Sequence, residues 1–177
     1  MGIDPARDLA AVVLTHFHHD HTGGLDHFPH TRIIGPRANH AVSTGLRGMV
    51  MGCLPQRWPV WLKPELVDPP IGPFPASHPL TRDGRIALVP TPGHVAGHCS
   101  VIVRDDDITR FIAGDATYSQ DNLQAERTDG VTNDIAMSLA TLRAIKAFAA
   151  LQPTVVLPAH DPDACRRLDA REIFAVP

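Results

Sequence analysis

Apolar positions along this chain fall into short, strand-length runs separated by proline and glycine. Leu9 to Thr15 is a compact, β-branched apolar run that predicts a buried strand, and it stops where a run of histidines begins. Thr22, Gly23 and Gly24 form a turn signal leading into a short helix near Leu25, and Arg32 to Gly35 predicts another brief strand. Pro36 suits the first turn of a helix running through about Leu46 and ended by Gly48. From Cys53 to Pro79 the periodicity gives way to Pro55, Pro59, Pro64, Pro69, Pro70, Pro73, Pro75 and Pro79, interleaved with Trp58, Trp61, Leu62, Ile71 and Phe74. Prolines at that density exclude a regular helix or a central strand. Such a stretch is either a lid or binding wall, where its aromatics would suit an apolar substrate, or a cap on the core.

Three further runs, Arg85 to Val89, Ser100 to Val103 and Thr109 to Ala113, predict an antiparallel meander, with Asp105, Asp106 and Asp107 marking the hairpin between the last two. Asn133 and Asp134 can cap a helix whose apolar positions Ile135, Leu139, Leu142, Ile145 and Ala149 share one stripe, and Pro153 ends it. Thr154 to Leu157 then predicts a buried strand leading to His160. There is no internal repeat, low-complexity tract or linker, so a single domain over residues 1–177 is expected.

Composition narrows the picture. With 44 % hydrophobic and 20 % charged residues the chain resembles an ordinary folded domain. Its longest apolar runs, such as Ala10 to Leu14, fall well short of the roughly 20 residues of a membrane span. Met1 leads into Gly2, Ile3, Asp4 and Pro5 rather than a basic start and an apolar run, so no signal peptide, no membrane partner and a cytoplasmic location are expected. A net charge of −3 argues against a nucleic-acid partner and for a small, neutral or weakly charged substrate. Cys53, Cys99 and Cys165 are odd in number and widely spaced, which predicts reduced thiols rather than a disulfide framework or a zinc knuckle. The 11 histidines exceed what packing requires.

Their arrangement points to metal. His16 and His18 are two apart, so in an extended loop they project to the same side and can grip one ion. Asp20 and His21 follow at once and offer an oxygen and a nitrogen to a second. Four histidines and one carboxylate within six residues, His16 to His21, would be electrostatically awkward without a cation. Zinc accepts this mixture and keeps a position open for water in catalytic sites, although other divalent metals are compatible. Each remaining ligand candidate, His94, Asp115 and His160, also follows a predicted strand. Taken singly, His94 or His160 would more often be an ordinary hydrogen-bonded histidine, and Asp115 a helix cap. His19, His27, His30, His40, His78 and His98 share no partner pattern and read as ordinary histidines, with His98 the one candidate to line the site.

The run from His16 to His21 resembles the His-x-His-x-Asp-His signature of the metallo-β-lactamase superfamily. Thr91-Pro92-Gly93-His94, Gly114-Asp115 and Pro158-Ala159-His160 resemble its later ligand motifs in the same order. The resemblance covers nearly the whole chain and implies an α+β fold, an αββα sandwich of two sheets packed face to face with helices outside. It implies two zinc ions: His16, His18 and His94 on one, Asp20, His21 and His160 on the other, and Asp115 bridging both. Family members place several strands ahead of the histidine run, whereas fifteen residues precede His16 here. A front-truncated first sheet is therefore expected, either narrow or covered at its edge by another copy in a homo-oligomer.

Two close cations lower the pKa of a shared water and polarise a carbonyl, so the resemblance implies a zinc hydrolase acting on a lactone, ester or thioester, with Asp20 or a nearby acid helping to carry the proton. Asp115-Ala116-Thr117-Tyr118 resembles a segment of the N-acyl homoserine lactonases in which the tyrosine helps to bind the carbonyl region; a half-buried ring with an exposed hydroxyl is the plain alternative for Tyr118. The seventeen residues after His160 are too few for the helical region of glyoxalase-type thioesterases. His18 stands where flavodiiron proteins carry glutamate, Asp115 counts against a true β-lactamase, and the acidic balance disfavours RNA processing. A metal-binding but catalytically idle interaction module is the alternative from a different class.

Overall fold

The computed structural model describes residues 4–74 and 76–176, so Pro75 of the proline-rich stretch lies outside the described residues, as do the first three residues and Pro177. The chain divides into two compact units, residues 1–68 and 69–177.

In the first unit a short helix α1 (Pro5–Asp8) precedes β1 (Ala11–Val13), and α2 (His19–Thr22) follows the histidine loop. A 3-10 turn at Leu25–His27 leads to β2 (Arg32–Pro36), then α3 (Arg37–Ser43), α4 (Leu46–Val50) and β3 (Glu65–Val67). The three strands form one parallel sheet in the order β1-β2-β3. Leu14, Phe17, Leu25 and Ile33 make its core.

The expected single helix from Pro36 to Gly48 is instead two. Pro36 is extended (φ −71°, ψ 125°) and stands just before α3, and Gly45, also extended, breaks the helix before α4. Gly48 sits inside α4 rather than ending it. A Cβ there would fall 2.2 Å from the Ser43 carbonyl oxygen, so only glycine lets α4 fold back so tightly. The proline-rich stretch contributes only edge structure, because β3 is flanked by Pro64 and Pro69. Trp58, Trp61 and Leu62 pack against the first unit's core, which makes them a cap on it.

The second unit is a five-stranded sheet, β4 (His78–Pro79), β5 (Ile86–Pro90), β6 (Cys99–Arg104), β7 (Thr109–Gly114) and β8 (Thr154–Pro158), in chain order across the sheet. The predicted meander is present: β5, β6 and β7 pair antiparallel. β8 pairs parallel with β7, and that connection requires a crossover, supplied by α5 (Gln120–Gln124) and α6 (Ile135–Leu151); α7 (Ala164–Asp169) follows β8. Two antiparallel steps leave β5 running in the same sense as β7, so β5, β7 and β8 all end at the same end of the sheet. Val89, Ile102, Phe111, Leu142, Ile145 and Val156 form the core with Phe174. Phe74 stacks on Phe111 at 5.7 Å, so it too covers core.

Asp134 caps α6 as expected, its carboxylate accepting from the Met137 N–H at 2.9 Å. Ile135 departs from the expected buried stripe and is 62 % exposed, while Ser138 and Thr141 are buried. The first turns of α6 share their buried side between the core, which Leu139 packs against, and the loop after β5, where the Thr141 hydroxyl donates to the Pro92 carbonyl at 2.6 Å. Among the described residues no helix is long and apolar enough to cross a membrane.

Phe111 is fully buried at the centre of the second unit. Phe111→Ala is expected to cost about 3–5 kcal/mol of unfolding free energy, measurable as a lowered urea midpoint.

Candidate functional site

In the first unit β1 delivers the chain into the loop that carries His16. The Thr15 hydroxyl lies 3.1 Å from His16 Nδ1, and the Phe17 N–H donates to Asn39 Oδ1 at 2.8 Å, which ties the loop to α3. Phe17 points the other way, into the core, and β2 makes room for it: a Cβ on Gly35 would sit 2.7 Å from its ring. With Phe17 anchored, His16 and His18 emerge on the same side, their ring centroids 4.6 Å apart. The one turn of α2 then brings the His21 ring to 4.2 Å from that of His16. The Asp20 carboxylate stands 3.7 Å from His21 Nε2 and is 57 % exposed. All four predicted residues of the run thus gather in one cluster, and His16 is fully buried.

In the second unit the common end of β5, β7 and β8 gathers the other three. β7 finishes with a register irregularity against β8 and Gly114 at φ +56°, a left-handed turn that favours glycine. The Ala159 N–H donates to the Gly114 carbonyl at 3.1 Å, which pins the loop bearing His160 beside the loop bearing Asp115. His94 Nε2 lies 3.5 Å from Asp115 Oδ2, and His160 Nε2 lies 3.3 Å from the same oxygen. Tyr118 closes over them, its ring 4.6 Å from His160 and 5.9 Å from His94.

Buried groups hold this arrangement. The Asp115 N–H donates to His98 Nε2 at 3.1 Å, so the proton of a neutral His98 sits on Nδ1, facing the Thr91 carbonyl (3.1 Å) and hydroxyl (2.9 Å). Thr91 and Ser100 hydroxyls are 2.8 Å apart, and Ser100 donates to the Ala113 carbonyl at 3.0 Å. His98 therefore ties the end of β7 to the end of β5, a role beyond lining the site. On the other flank Asp129 Oδ2 stands 3.3 Å from His94 Nδ1. Neither contact follows from spacing. Asp129-Gly130 is legible only as a turn dipeptide, and His98 only as one histidine among many. Asp161, next to His160, is buried and accepts from the Gln120 N–H, the Asp163 N–H and the Arg167 guanidinium. Burial raises its carboxyl pKa, but those donors outweigh burial and hold it below the usual carboxylate range.

The donors fit a divalent metal. An ion held at about 2.0–2.1 Å by tetrahedral ligands spaces the ligand atoms roughly 3.3 Å apart. His94, Asp115 and His160 present imidazole nitrogens around a carboxylate oxygen at 3.3–3.5 Å, longer than a strong charge-assisted hydrogen bond. Nitrogen and carboxylate oxygen are also the donor types zinc accepts.

The model of the metallo-β-lactamase superfamily matches residues 4–160. The chain is 25 % identical over 171 residues to the N-acyl homoserine lactonase AttM of Rhizobium radiobacter, covering 93 % of this chain and 62 % of that protein. It is 34 % identical over 126 residues to a probable metallo-hydrolase of Mycobacterium bovis, covering 66 % of this chain and 39 % of the relative. A solved quorum-quenching N-acyl homoserine lactone hydrolase superposes with a TM-score of 0.69 at 22 % identity, over 92 % of this chain and 61 % of that one. The chain thus spans about three-fifths of the length of the lactonases it matches. The matched family model, the mixed α+β fold shared with those solved structures and the histidine and aspartate clusters agree: the chain belongs to the metallo-β-lactamase superfamily.

Proposed function

We propose that this chain is a dinuclear zinc hydrolase that opens a lactone or a related ester, with N-acyl homoserine lactones the first substrates to consider. The observation that carries the reading is the spacing of His94 and His160, typical of metal ligands, around a single oxygen, Oδ2, of the buried Asp115. In this reading the ligand order of the superfamily assigns His16, His18 and His94 to one ion, Asp20, His21 and His160 to the other, and Asp115 to both. The likeness to lactonases along most of the chain supports it.

Bound divalent cations supply an acidified water and an electrophile for a carbonyl oxygen. The net reaction adds water across the ring ester: the carbonyl carbon gains hydroxyl, the ring C–O bond breaks, and the released oxygen takes a proton. Asp20 is exposed enough to reach substrate and would hand on that proton. The Tyr118 hydroxyl would donate to the carbonyl region, its ring steadied against His160.

The same reading includes a cytoplasmic location and a homo-oligomer. Three free thiols suit a reducing compartment, and β1 ends the first sheet as an edge strand among the described residues.

Zinc-supplied protein is expected to hold two ions per chain and to open acyl homoserine lactones, followed by pH-stat. Asp115→Ala and His160→Ala should each lower turnover at least about a hundredfold. Fully metallated protein inert on lactones, esters and thioesters would replace this reading with the idle binding module. Tyr118→Phe should leave zinc content unchanged and reduce kcat by roughly ten- to a hundredfold, as steady-state kinetics would register. Burial pushes the Cys99 thiol up to about 12 and raises that of Cys53 as well, whereas Cys165 is exposed. A thiol reagent at pH 8 should therefore modify only Cys165 in the folded protein and all three cysteines after denaturation.

A further inference from the structure

We propose that Asp129 is the positioning residue that orients His94 for its ion, a role that rests on the metal reading above. The two nitrogens of the buried His94 ring face two different carboxylates. Nε2 looks towards Asp115 Oδ2 at 3.5 Å, and Nδ1 towards Asp129 Oδ2 at 3.3 Å. A histidine nitrogen can ligate a metal only when it carries no proton. A carboxylate on Nδ1 keeps the proton on that side, which leaves the Nε2 lone pair for the ion and strengthens it as a donor.

Asp129 is itself held in place. Its side chain is 4 % exposed, its Oδ1 accepts from the Val131 N–H at 2.8 Å, and its Oδ2 accepts from the Thr132 hydroxyl at 2.9 Å. These donors answer the cost of burying a carboxylate and fix the direction in which Oδ2 points. The next residues clasp the backbone of the same histidine. The Asn133 N–H donates to the carbonyls of Gly93 (3.2 Å) and His94 (3.0 Å), and the Asp134 N–H donates to Gly93 at 3.0 Å. Gly93 has φ +135°, and a Cβ there would lie 2.4 Å from Ser138 Cα, so the loop packs directly against the backbone of α6 at a point where only glycine fits. One short segment, residues 129–134, thus governs both the ring and the main chain of His94.

The competing explanation is that Asp129 only shapes its own turn through Val131 and Thr132, whose rotatable hydroxyl could accept from an amide NH2 as readily as it donates to Oδ2. Asp129→Asn separates the two. The amide oxygen still serves Val131 at nearly the same volume, but an NH2 group replaces the oxygen facing Nδ1 and favours the proton on Nε2, the wrong tautomer for binding. Zinc affinity of the full chain would be measured by competition with a chromophoric chelator, alongside the melting temperature of metal-free protein and the exchange rate of the His94 Nδ1–H by NMR in zinc-loaded protein. Asp129→Asn is expected to weaken one zinc site about 10- to 100-fold and to speed exchange of that proton, while the metal-free melting temperature moves by no more than about 3 °C. Zinc affinity and proton exchange matching the unsubstituted chain would overturn the proposal, as would a loss of affinity matched by a melting temperature lowered by more than that. An unsubstituted chain that takes up no zinc would defeat the metal reading and this role with it, whereas normal uptake by both proteins defeats only the role of Asp129.

Discussion

A carboxylate taken out of water is stable only if donors or cations surround it, and Asp115 is 1 % exposed. Much of the second unit can be understood as the answer to that requirement. Two imidazoles face its Oδ2, a third accepts its backbone N–H, and the bulged end of β7 turns it towards them. Moving any of them leaves a buried charge without an answer.

Rigidity around these groups comes from the second unit's framework. The strand sense of β5, β7 and β8 brings three separate stretches of chain to one sheet end, while the Thr91, His98 and Ser100 network locks the end of β5 to the end of β7. α6 contributes less as an amphipathic cover than as a platform. Its buried Ser138 and Thr141 take the Pro92-Gly93 loop, and its apolar positions from Leu139 onward take the core. In the first unit the anchor is Phe17, whose burial against Gly35 leaves the histidines on either side of it to project together.

Sequence pattern and fold agree where local chemistry and tertiary packing point the same way. The three apolar runs of the meander and the Asp134-capped helix appear close to where periodicity places them. The two part where close backbone approach decides the outcome. Gly48 reads as a helix stop but lies within α4, because it alone fits against Ser43. Ile135 reads as core but faces solvent, because the loop after β5 competes with the apolar core for the same helix face. The tryptophans of the proline-rich stretch were compatible with a binding wall or a core cap, and packing against Leu14, Phe17 and Ile33 selects the cap.

The metal-type donors were legible from one dimension, since four histidines and a carboxylate in six residues constrain one another whatever the fold, and the later motifs recur in a known order. Their supports were not. Asp129 is 35 positions from His94, and His98 is 17 from Asp115, separations over which spacing carries no geometric information. A hydrogen bond depends on distance and direction in space, so only the folded chain could reveal which polar groups hold those side chains in place.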